Sequence, residues 1–278
     1  MTAETWKDFA APRMGPAMQI RQAARNAVLS LSALAINRPQ GKFLRPIYCH
    51  YVFDEQREAF ERKLRQAQDW GDFVDTSTAV AMARADTPID GSYFHLSFDD
   101  GLHCLLRNAA DILERLKIPS ISFVNSSLAG EIDPAVETFW RKATNYRGKV
   151  RVMTWEEMRE ISSCGMEIGA HTRSHRRLVD ISSDPVALED EIVGCKRDIE
   201  ANLDTECRYF AWPFGRLTDV DDIAIDAVRA AGFEACFGVY RAPIVPGKTD
   251  MFRLPRHHFE AQWPHAHFRY FAAGGMEK

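Results

Sequence analysis

Two adjacent carboxylates, Asp99 and Asp100, end the segment YFHLSFDDG (residues 93–101). An apolar, β-favouring run carries them to a glycine, and two like charges side by side gain no stability there. A second pair follows another apolar run: GAHTRSH holds His171 and His175. Histidines four residues apart can point the same way on one helical turn, a spacing that metal sites use. Alone, H-x-x-x-H is a weak signal, because two surface histidines fall at that spacing readily. Joined by one acid of the doublet, they offer two imidazoles and a carboxylate, which can hold Zn²⁺ and leave a position open for water. The second acid then has a use. One Asp binds the metal, the other stays unligated as a general base toward the water, and the cation relieves the repulsion within the doublet.

These residues need elements to hold them. PIYCHYVF (46–53) and SYFHLSF (92–98) read as strands, rich in aromatic and β-branched residues. Between them, residues 54–70 open with acids and carry apolar residues at helical spacing, and TSTAVAMARAD suggests a second short helix. CLLRNAADILERLK (104–117) places Leu105, Ala109, Ile112, Leu113 and Leu116 on one helical face. SISFVNS is a strand, and Thr154 and Glu157 are spaced as a capping box that starts a helix. GMEIGAH is a strand leading to a loop, DPVALEDEIVGCKRDIEANL a helix, RYFAW a strand and DDIAIDAVRAAG a helix; strands near 234–240 and 252–260 complete the pattern. Strands alternating with helices imply an α/β fold with a mainly parallel sheet, open or closed into a barrel, whose chemistry sits at the C-terminal ends of strands. Both pairs fall at such ends. Residues 126–150 are the least regular stretch and are expected to be an insertion over the site.

At the N-terminus, residues 1–16 read as an irregular arm and 17–36 as an amphipathic helix, stopped by Pro39 and Gly41. The run NAVLSLSALAI (26–36) has some look of a secretion signal, but a long segment with Glu4 and Asp8 precedes it. The expected division is 1–41 for the arm and helix and 42–278 for a catalytic domain. With 46% hydrophobic and 27% charged residues, the 278-residue chain can bury a sizeable core. A net charge of -4 argues against a nucleic-acid partner, and the Arg173, Arg176, Arg177 cluster reads as a solvated face. No apolar run approaches a membrane span. Six cysteines without a CxxC pair suggest free thiols in a reducing compartment, so cytoplasmic placement is expected, with secretion or the periplasm as the alternative.

SFDDG, HTRSH and AWPFG, in that order, resemble the first three motifs of the polysaccharide deacetylases, the NodB-homology or carbohydrate esterase family 4 enzymes. The resemblance implies a distorted (β/α)7 barrel and a metal-dependent hydrolase that removes an N-acyl group, acetyl in that family, from an amino sugar. It implies Asp99 as base and Asp100, His171 and His175 as ligands of one divalent ion, Zn²⁺ foremost, with Co²⁺ or Ni²⁺ as substitutes. In YFAWPFGR it implies that Pro213 and Phe214 form a wall of the groove, with the Phe214 N–H on the oxyanion. The family motif begins with an Arg that braces the catalytic Asp, but here that position is Ala211. Arg256, in RLPRHHF, is the expected replacement. The family's closing leucine-x-histidine is absent. IYCHYV instead resembles the opening strand of a permuted subgroup, the exopolysaccharide poly-N-acetylglucosamine N-deacetylases, which makes His50 the expected general acid and His257 or His258 the alternatives.

Trp212 is expected to stack on a sugar ring; for Trp140 packing is an equal reading. Cys49 and Cys104 read as small buried side chains, and His95, His103, His265 and His267 as structural or exposed. Two other substrates stay open: a small nucleotide- or lipid-linked amino sugar or other small amide, and, for a catalytically inactive member, a bound carbohydrate. A wide aromatic-lined groove would point to a polymer, and a closed pocket to a small substrate.

Overall fold

The computed structural model describes residues 5–9, 16–34, 39, 41–130 and 151–277. Strands and helices alternate as β1 (Phe43–Cys49), α3 (Arg57–Gln68), β2 (Asp72–Phe73), α4 (Thr76–Arg84), β3 (Ser92–Phe98), α5 (Cys104–Asn108), α6 (Ala110–Leu116) and β4 (Ser120–Val124). After residue 150 come α7 (Trp155–Ser163), β5 (Met166–Ala170), α8 (Pro185–Glu189), α9 (Cys195–Leu203), β6 (Tyr209–Ala211), α10 (Asp222–Ala230), β7 (Ala235–Phe237), β8 (His257–His258) and α11 (His265–Ala272). Ahead of β1 lie a short helix α1 (Trp6–Phe9) and the long α2 (Pro16–Leu34).

Every strand pairing is parallel, in the order β7-β6-β5-β4-β3-β1-β8, with β2 beside the start of β3. The last strand closes the sheet: His257 and His258 pair with β1, while Leu254, just before them, bridges to Phe237 of β7. The result is a small, irregular α/β barrel. Val80 and Met82 of α4 pack with Leu44, Ile121, Phe123, Tyr209 and Phe237 in one buried cluster, and a larger cluster lies between the strands and the other helices. Each such side chain stabilises the fold by roughly 1.5–3 kcal/mol.

Local chemistry explains the helix starts. The Asp75 carboxylate caps α4 by accepting from the Thr78 N–H at 2.7 Å, and Thr154 and Glu157 form the expected reciprocal capping box on α7. Differences from the sequence reading are local. Strand β1 begins at Phe43 and ends at Cys49, so His50 stands just past it. The helix over 104–117 is broken at Ala109. The helix over 184–203 contains a π-helical turn at Asp190–Gly194. Neither β2 nor α11 was anticipated. Helix α2 packs along α11, where His267 Nε2 lies 3.2 Å from the Asn26 carbonyl. No helix among the described residues is long and apolar enough to cross a membrane.

Candidate metal and catalytic site

Past Phe98 the chain reverses sharply, with positive φ at Asp100 (74°) and Gly101 (63°). Glycine is needed at 101 twice over: for that φ, and because a Cβ there would stand 2.8 Å from Val124 Cγ1. The turn aims the two acids at different partners. Asp99 receives both ends of the Arg256 guanidinium, at 2.7 and 2.9 Å. Arg256 is fully buried, donates further to the Gly238 carbonyl and the Ser97 hydroxyl, and lies over the Tyr48 ring. Burial alone would raise the Asp99 carboxyl, but Arg256, with help from His171, holds it down to about 2.

Asp100 faces the histidines instead. Its Oδ1 lies 3.7 Å from His171 Nε2 and 3.4 Å from His175 Nε2, and the three potential donor atoms all lie within 4.8 Å of one another. His171 Nδ1 is 2.7 Å from the Ala211 carbonyl, which leaves Nε2 toward Asp100. The two histidines are not on a helical turn. They sit in the loop after β5, brought round by positive φ at Thr172 (62°) and His175 (60°). That loop is pinned from outside by the Asn125 amide on the His171 and Thr172 carbonyls and by buried Glu191 on the Ser174 N–H at 2.9 Å. Glu191 lies in the π-helical turn, a distortion that often marks functional sites.

Burial pushes His171 down to about 4 and His175 well below its ordinary value, so both are neutral and able to ligate. Burial lifts Asp100 to about 7, with Asp99 adding to the rise. Its Oδ1 is buried and, among the described residues, has no hydrogen-bond partner. A buried carboxylate oxygen without a donor, facing two neutral imidazoles, fits one divalent cation and leaves the group poorly satisfied otherwise.

His50 stands at the end of β1, its Nδ1 2.7 Å from Glu260 Oε1; His258 Nε2 lies 2.8 Å from the same oxygen. Burial would lower the His50 pKa, but the charge and hydrogen bond of Glu260, with Asp100 and Asp99 behind, raise it to about 9. Burial dominates at His258 and lowers it. His257 points elsewhere: it is buried, with Nε2 3.3 Å from Glu277. Glu260 is a site residue that the sequence reading missed, since no local motif marks it.

The loop after β6 brings Phe214 to the site with φ 65°, its ring 5.0 Å from that of His175. Among the described residues no backbone carbonyl accepts the Phe214 N–H. Gly215 must stay bare, since a Cβ would meet Val239 at 2.1 Å. Arg177 lies over the Phe214 ring at 4.6 Å and 3.1 Å from buried Asp219, so it is part of this wall and not merely a solvated charge. Pro213 is buried beneath it. The expectation that Trp212 stacks on a sugar is corrected: its side chain is fully buried, its Nε1 donates to the Arg216 carbonyl at 3.0 Å, and the indole packs against Gly238. Cys49 is buried, Cys104 is partly exposed, and all six cysteines are free. His95 is buried against Thr76. Trp140 and residues 131–150, including most of the expected insertion, lie outside the described residues.

The mainly parallel α/β barrel presents an Asp-His-His cluster at the C-terminal ends of its strands. Solved structures share the fold. IcaB from Ammonifex degensii matches with a TM-score of 0.67 over 85% of this chain and 100% of its own, at 20% identity. The deacetylase PplD of Streptococcus pyogenes matches at 0.65 over 84% and 99%, with 16% identity. A de-N-acetylase from Aggregatibacter actinomycetemcomitans matches at 0.60 over 83% and 98%, with 16% identity. No functionally curated protein is significantly similar in sequence. The polysaccharide deacetylase family model matches residues 87–236, and the chain belongs to that family. The matched segment contains Asp99, Asp100, His171, His175 and Phe214, whereas His50, Arg256 and Glu260 lie outside it.

Proposed function

We propose that the protein is a metal-dependent carbohydrate de-N-acetylase, cleaving the acetamide of an amino sugar to acetate and a free amine. The observation that carries this reading is the asymmetry of the acidic doublet: Asp99 is clamped by Arg256, while Asp100 directs toward His171 and His175 an oxygen that has no hydrogen-bond partner among the described residues. Asp100, His171 and His175 would hold a divalent cation, Zn²⁺ by the preference of this donor set, and the bound ion would supply a Lewis acid for the amide carbonyl and lower the pKa of water enough for a weak base to deprotonate it.

The chain's own residues do the rest. Asp99, ionised throughout the neutral range and held in place by Arg256, takes the proton of the attacking water. The Phe214 N–H donates to the oxygen that gains negative charge as the carbonyl carbon becomes tetrahedral. His50, kept protonated by Glu260, gives its proton to the nitrogen as the C–N bond breaks. His258 shares Glu260 and acts on the orientation of that carboxylate. The acetate bound to PplD is the acid product of such a reaction, and this supports the reading by analogy. The free cysteines support a reducing compartment as the place of action.

The test is acetate release from N-acetylglucosamine oligomers, before and after chelation. Activity that disappears with a chelator and returns with Zn²⁺ supports the proposal. Turnover that a chelator leaves untouched, in protein shown to be metal-free, contradicts it.

A further inference from the structure

His50, His258 and Glu260 form a second cluster of ligating groups, which shares no residue with Asp100, His171 and His175. One potential ligand atom from each, two imidazole nitrogens and a carboxylate oxygen, all lie within 4.8 Å of one another. Three parts of the fold bring them together: His50 stands just past β1, His258 lies in β8 paired with Tyr48 of β1, and Glu260 follows two residues on. The rings are held in place. Tyr48 stacks on His258 at 4.9 Å and meets His50 edge-on at 5.3 Å, and Trp263 meets His258 edge-on at 4.9 Å. Arg241 donates to the His258 carbonyl at 3.1 Å. Hydrogen bonding accounts for only half of the carboxylate. His50 Nδ1 and His258 Nε2 both lie on Oε1 of Glu260, at 2.7 and 2.8 Å. The other oxygen, Oε2, is buried and, among the described residues, has no hydrogen-bond partner, in a side chain only 5% exposed. A carboxylate with an idle buried oxygen beside two imidazoles is poorly satisfied by the protein alone. The imidazoles are 21% and 28% exposed, so a small ion can reach them from solvent.

We propose that His50, His258 and Glu260 make a second divalent-cation site, which Zn²⁺ fills when it is in excess, and that filling it stops the reaction. Two imidazoles and one carboxylate are a zinc donor set that leaves room for water as a further ligand. An ion there would take the place of the hydrogen bonds on Oε1, bonding His50 Nδ1, His258 Nε2 and Glu260, with each ring carrying its remaining proton on the other nitrogen. The order of filling follows from what each site loses. Asp100 Oδ1 has no hydrogen bond to lose among the described residues, whereas at Glu260 the ion must replace two. The first site therefore binds more tightly. The inhibition, though not the binding, rests on the deacetylase reading. A ligated His50 is no longer an imidazolium and has no labile proton for the departing amine. The hydrogen-bonded and ion-bound forms of one triad thus correspond to working and blocked enzyme.

Calorimetric titration of the metal-free full chain with Zn²⁺, in a buffer that does not bind zinc, reads the number of sites. About two equivalents are expected, the second about 100-fold weaker than the first, each replaced hydrogen bond costing about tenfold. His258→Ala and Glu260→Gln should remove the weaker equivalent and keep the tight one, whose retention also shows that the fold survives. Asp100→Ala should do the reverse. In parallel, acetate release is measured as a ratio, the rate in excess zinc over the same protein's rate at one equivalent. In the parent this ratio should fall at least about tenfold as zinc rises through the weaker affinity, and in His258→Ala it should stay near one. A single equivalent in the parent at saturating zinc, or a weaker equivalent that both variants retain, overturns the second site and leaves the deacetylase reading intact. A weaker equivalent that both variants remove, but whose filling leaves acetate release unchanged, overturns the inhibition. The expected binding pattern in a protein that releases no acetate from any N-acetylglucosamine oligomer supports the second site and overturns the reaction.

Discussion

Arg256 bonds both oxygens of Asp99, whereas among the described residues no donor reaches Oδ1 of Asp100, and the proposed division of work between the two acids rests on this difference. As the proposed ligand, Asp100 carries a proton that competes with the cation: burial lifts its pKa to about 7 in the metal-free site, so metal affinity should fall as pH drops below neutrality. His171, pushed by burial to about 4, and His175, pushed by burial well below its ordinary value, add little to that dependence. Asp100→Ala or His171→Ala should weaken zinc binding by more than about 100-fold, the upper end of what loss of an outer partner costs. Equilibrium dialysis checks both variants and the pH trend, and full occupancy in either would remove its residue as a ligand. In the proposed mechanism His50 is the general acid and acts only when protonated. With its pKa raised to about 9, kcat/KM should decline as pH rises through that value, and Glu260→Gln should move the decline to lower pH by removing the charge that raises it. An alkaline limb that stays put in Glu260→Gln would show that another group donates the proton.

Between elements, the Asp99–Arg256 pair ties the end of β3 to the strand that closes the barrel. Both side chains are buried, so removing one leaves an unpaired charge inside. Arg256→Met should destabilise the fold by about 3–5 kcal/mol in urea melts, and Asp99→Asn combined with it should recover part of that loss. Equal stability of Arg256→Met and the parent would mean that the pair does not hold the closure. The His171–His175 loop depends on Glu191 in the same way. Glu191→Gln keeps the shape but weakens the grip on the Ser174 N–H, and zinc affinity should drop by about 10-fold or more with little change in unfolding midpoint. Elements of this kind were partly legible. The apolar runs ending in Asp99–Asp100 and His171 marked strand ends, because a strand buried on both faces reads as a continuous hydrophobic stretch. The helical-turn reading of His171 and His175 failed, because spacing alone does not reveal the positive φ values that bend the loop.

Over the whole molecule, the alternation of elements made a mainly parallel sheet legible, but left its closure into a barrel open. Closure rests on short pairings, Leu254 with β7 and His257–His258 with β1, which leave little periodicity to read. Glu260 and Glu191 were invisible for a related reason. Glu260 meets His50 across 210 positions and Glu191 meets Ser174 across 17, so neither contact leaves a local signature. Trp212 misled, because a motif position says which loop a residue belongs to, while the bare backbone of Gly238 decides that the indole turns inward. Arg256 was legible only through the gap at Ala211. The proposed site divides its labour between residues that hold a cation and one that takes a proton from water, and the most direct measurement separates the two in one variant. Asp99→Asn should keep close to one equivalent of zinc, by elemental analysis, while acetate release from N-acetylglucosamine oligomers falls by about 10²–10⁴-fold. A zinc-loaded Asp99→Asn protein that turns over near the parental rate would contradict the account.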